Sequence, residues 1–354
     1  MTYKETLFFI GKCLTVNYEK HNLSIVTEQL KSNQIDWDKV VKVSTAHYVF
    51  PALYCNLKRA ELLGYLPADL VEYMMYITEL NRGRNLQIIE QAKEINKLLR
   101  TNNITPIFLK GTSNLLCGLY EDIAERMVGD IDFIVDTRVY HKTLQILRID
   151  GYSNVRKSTF DFPSFKHYPR LKKKNKIAAV EIHKELLVEK FATEFNYKFI
   201  KKDSFTTNKT SFLSYKNQLS LSIIAIQIND SGNYYHSIAL RNTYDVFLLS
   251  KKADSLEAIA SFDLLFNPLN NFLALCNYTL GDCSSIKYKQ TKDSIKYVEK
   301  SKKLLSNKKL RAKNQKKIRA YLFFKSRLQI ILKSIHHKET RNWIIKRIRF
   351  GRQH

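Results

Sequence analysis

Residues 125–136 read ERMVGDIDFIVD, in which two aspartates, one residue apart, open an otherwise apolar run. The aromatic and β-branched residues at 133–135 predict a buried strand over 130–135. Burying unpaired carboxylates costs several kcal/mol each, so Asp130 and Asp132 need a cation or an open strand end. The chain must therefore fold so that this end of the strand borders a polar site.

Alternation along the strand explains how both charges are tolerated. Residues i and i+2 point to one face, so Asp130 and Asp132 lie side by side while Ile131 and Phe133 turn into the core. Two adjacent carboxylates repel, which raises a pKa unless a cation lies between them. Hard oxygen ligands of this kind suit Mg²⁺, and a third carboxylate would complete a two-metal arrangement for phosphoryl or nucleotidyl transfer.

A candidate for the third carboxylate lies in AAVEIHKEL, on a second predicted strand over 177–183. Glu181 on this strand is able to lie beside the aspartate pair, and His183 at i+2 shares its face. Either residue alone is ordinary on a strand. Their order after apolar strands favours a metal site.

A turn suited to phosphate precedes the aspartates. LKGTSNLL joins a strand predicted over 104–109, a glycine turn, two small hydroxyl residues and a helix predicted near 114–120. Free backbone N–H groups and the helix dipole favour anions there. Gly111 lets the backbone approach closely, and Thr112 and Ser113 can donate hydroxyl hydrogen bonds. The segment is not a Walker loop, because GxxxxGK[ST] is absent.

The surrounding segments predict an α+β protein in three regions. Residues 1–100 show apolar positions at three- and four-residue spacing, which predicts a helical N-terminal region. Residues 101–215 read as strand, turn, helix, strand, helix and a hairpin over 158–187 with a basic turn, which predicts a small mixed-sheet core. Residues 216–354 are again helical and end in a basic tail. We therefore expect one small sheet flanked by helical regions.

The segments FLKGTSNLLCGLY, ERMVGDIDFIVD and AAVEIHKEL together resemble the DNA-polymerase-β-like nucleotidyltransferase superfamily. More narrowly, they resemble a bacterial nucleotidyltransferase family with an LKG…LY…R…DIDhhV…EhH pattern. The resemblance spans roughly 30–250, its specific motifs cover 108–136 and 179–183, and the basic tail lies outside it. It implies that residues 101–215 form a nucleotidyltransferase core.

The resemblance implies Mg²⁺-dependent transfer of a nucleotidyl group from an NTP to an acceptor, with release of pyrophosphate. One or two Mg²⁺ ions and ATP binding are among the expected properties. By position, Asp130 and Asp132 match the metal-binding and catalytic DxD pair, and Glu181 matches the third carboxylate. His183 is an expected accessory residue.

Nucleotide-binding residues are implied in the same way. Gly111 and Thr112 match the phosphate-contacting G[GS] element, with Thr as a departure from the usual Gly or Ser, and Ser113 follows them. Lys110 and Arg126 match positions near the phosphates, as charge-assisted donors.

Two further residues come from LRNTYDVFLL (240–249), which is similar to the family's downstream R…D segment. Arg241 and Asp245 are expected accessory residues that help close the site. The alternative is an ordinary i, i+4 ion pair on a helix. A histidine that such proteins often carry before this segment is Gln227 here.

The charge of the chain favours polyanionic partners. Its 59 Lys+Arg and 33 Asp+Glu give a net +26, and residues 301–354 carry 18 of the basic residues against one acid, Glu339. A field of that size favours NTPs, RNA or tRNA, or an anionic membrane surface. Aromatic residues of the basic tail either pack between helices, stack on bases or lie at a membrane interface.

The leading hypothesis is a cytoplasmic, Mg²⁺-dependent nucleotidyltransferase whose acceptor is RNA, tRNA or a protein. One alternative is nucleotidyl transfer to a sugar or polysaccharide intermediate. Another is a non-catalytic RNA- or membrane-binding protein on a nucleotidyltransferase fold. Five scattered cysteines without a CxxC pair favour a reducing compartment. The sequence does not determine the oligomeric state.

Overall fold

The computed structural model describes residues 1–155 and 166–350. Within these ranges, helices flank one seven-stranded mixed sheet, which confirms the predicted α+β class. The part of the predicted hairpin at 158–165 lies outside the described residues. None of the described helices combines the length and the apolar character needed to cross a membrane.

Five helices precede the sheet. They are α1 (Tyr3–Cys13), α2 (Lys20–Lys31), α3 (Trp37–Ala46), α4 (Phe50–Arg59) and α5 (Ala68–Thr101). The longest, α5, buries Ile88, Ala92, Ile95 and Leu99. Their i, i+4, i+7, i+11 spacing is that of one helical face, as the periodicity of this region predicts.

The sheet combines strands from 107 to 212. Its strands are β1 (Ile107–Phe108), β2 (Asp130–Ile134), β3 (Ser153–Asn154), β4 (Leu171–Lys172), β5 (Ala179–His183), β6 (Phe205–Thr207) and β7 (Thr210–Phe212). Their order is β3-β4-β5-β2-β1-β7-β6. The β2–β5 and β1–β7 pairs are parallel, and the remaining pairs are antiparallel. The two predicted acidic strands are therefore central neighbours.

The turn after β1 is tighter than the sequence predicts. The strand covers two residues instead of six, because Pro106 has no N–H with which to extend the ladder. Helix α6 (Lys110–Leu116) then begins about four residues before its predicted start. Already the backbone N–H of Ser113 donates to the carbonyl of Leu109, 3.1 Å away. The early start brings Lys110 and Gly111 directly to the end of the sheet.

The remaining helices connect the strands and form the C-terminal half. They are α7 (Tyr140–Ile149), α8 (Tyr197–Lys202), α9 (Tyr215–Ile224), α10 (Gly232–Tyr235), α11 (Leu240–Ser250), α12 (Glu257–Ala260), α13 (Phe266–Leu280), α14 (Lys292–Ser306), α15 (Lys308–His336) and α16 (Lys338–Phe350). A π-helical turn, Ala225–Asn229, continues α9. Such turns widen a helix locally and are frequent at functional sites.

One continuous hydrophobic cluster joins the helices on both sides to the sheet. Phe9 of α1, Phe133 of β2 and Phe272 of α13 are each at most 1% exposed and belong to it. Helices α9 and α11 lie over the acidic end of the sheet and supply one wall of the site described next.

Candidate active site

The register of β2 and β5 brings the predicted carboxylates together. Asp132 is the direct cross-strand partner of Glu181, and Asp130 and His183 lie one step of the same face away. The intervening Ile131 is fully buried, as alternation along the strand predicts. The parallel pairing of β2 and β5 therefore forms one polar face, in which Asp132 and His183 meet although they are 51 residues apart in the chain.

Two cations lie against these carboxylates. Lys110 Nζ is 2.6 Å from Asp132 Oδ1 and 3.8 Å from Glu181 Oε2. Arg170 bridges the other side, with Nη2 2.9 Å from Asp130 Oδ2 and Nε 2.6 Å from Glu181 Oε1. Each carboxylate thus has a cationic partner, and this pairing offsets the free-energy cost of burying the negative charges.

The pKa values of the two aspartates are shifted in opposite directions. Burial opposes ionisation of Asp132, but Lys110 and the hydrogen bond from His183 outweigh burial and hold the pKa of Asp132 well below its usual range. Burial raises the pKa of Asp130, and the negative charges of Glu181 and Asp132 raise it further. The positive charge of Arg170 lowers this pKa but offsets the effect of burial only in part. Asp130 is consequently the more basic carboxylate of the pair.

His183 completes the cluster. Its Nε2 lies 2.9 Å from Asp132 Oδ1 and donates to it, and its buried Nδ1 has no hydrogen-bond partner among the described residues. Burial lowers the pKa of His183, which favours the neutral ring. A neutral imidazole can serve as a metal ligand or as a hydrogen-bond donor.

The donor set fits a divalent cation. One ligand atom from each of Asp132, Glu181 and His183 lies within 4.8 Å of the others. Carboxylate oxygens are the ligands that Mg²⁺ prefers, and Asp130 adds another on the same face. The Lys110 ammonium lies between these ligand atoms, so this point of the structure already accommodates a cation. A divalent ion here would compete with Lys110 for Asp132.

The turn at 110–113 is tied to β2. Lys110 has a φ of 53°, a left-handed conformation that costs energy for a residue with a side chain. At Gly111 a Cβ atom would lie 3.0 Å from Val128 Cγ2, so the absence of a side chain allows this close approach. Thr112 Oγ1 donates to the Asp130 carbonyl over 2.9 Å. Lys110 and Gly111 border the cavity, whereas the buried side chains of Thr112 and Ser113 lie behind it.

Arg126 and Asp245 meet at the base of the site. Arg126 Nε lies 3.0 Å and Nη2 2.9 Å from the two Asp245 oxygens, and Tyr120 donates to Asp245 over 2.7 Å. In the part of the chain that the structure describes, Asp245 pairs with Arg126 and not with Arg241, so the alternative of an ordinary helix ion pair is wrong. Arg241 lies over the ring of Tyr48, 5.0 Å from its centroid. Both arginines border the cavity.

These residues enclose a cavity of about 370 Å³. Several of its lining residues escape sequence reasoning. Three of them, Lys166, His167 and Arg170, belong to the basic stretch KHYPRLKKKNK, and only the charge of that stretch indicated a binding role. No sequence pattern indicated a role for Asp230. Gln227 is not in the cavity wall, because its side chain is buried and accepts a hydrogen bond from Tyr297. Other lining residues are Met127, Val128, Gly129, Ser222, Ala225, Ile226, Asn229 and Asn242.

Comparison with known proteins agrees with this geometry. The model of a family described as uncharacterised nucleotidyltransferase matches residues 33–281. The match includes the turn at 110–113, both acidic strands and the Arg241–Asp245 segment. No curated protein and no solved structure matches the chain. Because the family match covers more than half of the chain and contains the whole cavity, the protein belongs to this uncharacterised nucleotidyltransferase family.

Proposed function

We propose that the protein is a Mg²⁺-dependent nucleotidyltransferase that moves an NMP group from an NTP to an acceptor hydroxyl and releases pyrophosphate. The observation that carries this proposal is the register that opposes Asp132 to Glu181, with Asp130 on the same face and Lys110 between the carboxylates. A carboxylate cluster beside a cavity with several cations is the arrangement that phosphoryl chemistry requires.

The carboxylates of Asp130, Asp132 and Glu181 would hold the metal. When bound, Mg²⁺ supplies electrostatic stabilisation of the charge that develops on the phosphate oxygens. Lys110, displaced from Asp132, is close enough to donate to a phosphate oxygen instead. Gly111 borders the cavity next to Lys110, where a glycine backbone can approach the triphosphate closely.

The proton of the acceptor goes to Asp130 in this proposal. The acceptor oxygen attacks the α-phosphorus, the bond from that phosphorus to the pyrophosphate oxygen breaks, and the acceptor proton passes to an Asp130 carboxylate oxygen. We assign this role to Asp130 because, without a bound metal, its pKa is raised whereas that of Asp132 is lowered, which makes Asp130 the better proton acceptor of the two aspartates. Positioning of the reactants supplies much of the remaining rate.

Arg241 supports an anionic substrate. Its guanidinium borders the cavity, and its buried Nε has no hydrogen-bond partner in residues 1–155 and 166–350. Within the described residues it forms no ion pair. A half-buried guanidinium without a counter-ion is costly, and a phosphate in the cavity would supply one. This is the expected accessory role of Arg241, with Asp245 keeping Arg126 in place below it.

An RNA acceptor, including tRNA, is the choice that the charge distribution favours over a protein or a sugar. Lys166 and Arg170 of the basic stretch 166–176 border the cavity, so an anionic acceptor would meet cations on its way to Asp130. The net charge of +26 acts in the same direction at longer range. Acceptor binding should therefore weaken steeply with salt, and a flat salt dependence would exclude RNA.

The test is label transfer. The protein is incubated with each radiolabelled NTP and Mg²⁺, together with total cell RNA, protein and lipid, and the fraction that retains label is identified. The double variant Asp130→Asn, Asp132→Asn should lose at least about a hundredfold in turnover. A matched control, Glu90→Gln with Glu299→Gln, removes two exposed charges far from the cavity and should keep activity. Wild-type turnover in the aspartate variant would overturn the assignment.

A further inference from the structure

Helix α15 differs from every other long helix that the structure describes. None of its 29 residues is buried. It carries ten Lys or Arg residues and no Asp or Glu. Most helical stability in proteins comes from burying an apolar face, so a long helix with no buried residue is expected to bind a partner.

The helix nevertheless has an apolar stripe, and the stripe faces outward. Phe324, Leu328, Ile331 and Ile335 are 69%, 58%, 57% and 58% exposed. Their i, i+4, i+7, i+11 spacing places them within a sector of about 60° on the helix surface. Leu332, 53% exposed, lies on the edge of this outer stripe. Four large side chains in line form a continuous apolar surface, unlike scattered surface hydrophobes.

Contacts with the rest of the protein come from other sides of α15. Lys333 Nζ is 2.5 Å from Glu189 Oε2, and Lys325 Nζ is 2.9 Å from the Tyr234 hydroxyl. Nearer the start of the helix, the Arg311 guanidinium lies 4.3 Å from the centroid of the Tyr3 ring. The Tyr321 ring also packs on Tyr234, with ring centroids 5.9 Å apart. Cationic and aromatic side chains thus hold the helix to the body, and in this orientation the outer stripe is exposed.

The following helix extends the same character. In α16, Ile345 and Ile348 are 55% and 78% exposed. They alternate with Lys346, Arg347 and Arg349, and the Arg347 guanidinium lies 4.9 Å from the Trp343 ring centroid. Long cationic side chains next to exposed apolar ones can reach outward to anions while their stems cover apolar surface.

We propose that α15 lies flat on the surface of an anionic lipid bilayer, with the outer stripe of Phe324, Leu328, Ile331 and Ile335 in the boundary between headgroups and acyl chains. Basic residues beside an apolar stripe, at low mean hydropathy, are the features of an interfacial amphipathic helix. The anionic headgroups would pair with the basic side chains, and the boundary with the acyl chains would bury the apolar side chains of the outer stripe.

Other partners satisfy only one of these features. A second copy of the chain would cover the stripe but oppose two tails that each carry 18 basic residues and one acid over 301–354. RNA would neutralise the charge but offer no acyl boundary for aliphatic side chains such as Leu328 and Ile331. The lipid surface is therefore the occupant that the observations favour, whatever group the cavity transfers.

The test is cosedimentation of the full-length protein with phosphatidylcholine vesicles that contain or lack phosphatidylglycerol. We expect binding only to the anionic vesicles, and weaker binding at high salt. The variant Phe324→Ser, Leu328→Ser, Ile331→Ser keeps every charge and alters only exposed side chains. It should bind anionic vesicles at least about tenfold more weakly.

A matched control is Tyr76→Ser, Leu80→Ser, Leu86→Ser, which removes side chains of α5 that are 61%, 54% and 51% exposed. It should bind vesicles like the wild type, and circular dichroism should show equal helix content in both variants. Equal vesicle binding by the stripe variant and the control would overturn the proposal. The proposal would also be overturned if the wild type forms a dimer that does not bind vesicles and if the stripe variant is a monomer. Binding of RNA without binding of vesicles would overturn it as well.

Discussion

Arg126 and Asp245 form a buried ion pair between the connection that precedes β2 and helix α11, with Arg126 Nη2 2.9 Å from Asp245 Oδ2. Arg126 is 6% exposed and Asp245 1%. The pair fixes α11, and with it Arg241, against the base of the cavity. An interaction between residues so far apart in the chain makes the shape of the site depend on the whole fold.

Breaking this pair should destabilise the protein strongly. Asp245→Asn keeps the shape of the side chain but leaves the Arg126 charge buried without a counter-ion, so the free energy of unfolding should fall by about 3–5 kcal/mol. Tyr120→Phe, which removes one hydrogen bond to Asp245, should cost about 1–2 kcal/mol. Urea unfolding measures both.

The control for this comparison is Glu90→Gln, which breaks the exposed pair between Lys93 Nζ and Glu90 Oε1, 2.8 Å apart. It should leave stability unchanged within error, because exposed pairs contribute little. The prediction is wrong if Asp245→Asn costs no more than this control.

Lys110 should compete with Mg²⁺. In Lys110→Met, no ammonium lies between Asp132, Glu181 and His183, so the metal-free protein should unfold at a lower temperature. Addition of Mg²⁺ should then raise the unfolding temperature by about 2–4 °C more than in the wild type, since the ion has no competitor. Thermal scans with and without Mg²⁺ give both values. An identical Mg²⁺ shift in the variant, the wild type and the surface control Lys93→Met would contradict the competition.

Lys166 should make stability depend on alkaline pH. Burial, followed by the charge of Lys110, lowers the pKa of Lys166 to about 8. An unfolded lysine has a pKa of about 10.4, so between these values the unfolded state binds more protons and stability rises with pH. Lys166→Met should therefore be more stable than the wild type at about pH 7, and the difference should shrink towards about pH 10.

Urea unfolding at both pH values measures this effect. The exposed Lys184, replaced by methionine, is the control and should follow the wild type at each pH. If Lys166→Met and the wild type keep the same difference at both values, Lys166 is not the titrating group.

Two glycines should respond oppositely to alanine. In Gly111→Ala the new Cβ would lie 3.0 Å from Val128 Cγ2 and 3.5 Å from Arg126 Cζ, so we expect a loss of about 1–3 kcal/mol and weaker NTP binding. Gly83 in α5 has no atom within 4 Å of an added Cβ, and Gly83→Ala should stabilise the helix by about 0.5–1 kcal/mol. Unfolding and NTP titration of both variants measure these changes. A Gly111→Ala protein that matches Gly83→Ala in both assays would show that close approach at 111 is unimportant.

Local pattern predicted β1, β2 and β5, and the side of β2 and β5 that carries the acidic residues, but it did not predict the hairpin of β6 and β7. The alternation of DIDFIV directs Ile131 inward and both aspartates to one face, and this follows from backbone geometry alone. Helical spacing likewise predicted the buried face of α5. Boundaries were less predictable, because the start of α6 depends on how Leu109 and Lys110 are bonded to β2.

Partners across the fold could not be predicted from local pattern. Arg241 lies four residues before Asp245, so an ion pair between them on one helix was a reasonable alternative. In the folded protein Asp245 is instead buried against Arg126, which contacts both of its carboxylate oxygens. Arg170 lies in a basic stretch whose overall charge is visible, but nothing local distinguishes it from its neighbouring lysines. Its role in bridging Asp130 and Glu181 exists only because β4 and β5 are paired.

The sequence by itself determined the chemistry that this chain carries: carboxylates alternating with core residues, a glycine turn before them, a basic tail and a family pattern. The tertiary structure decided which of these groups meet. Strand register opposed Asp132 to Glu181, the start of α6 placed Lys110 beside them, and packing against the body turned the outer stripe of α15 to solvent. The reason is that periodicity is a property of consecutive residues, whereas register and packing depend on burial summed over the whole chain.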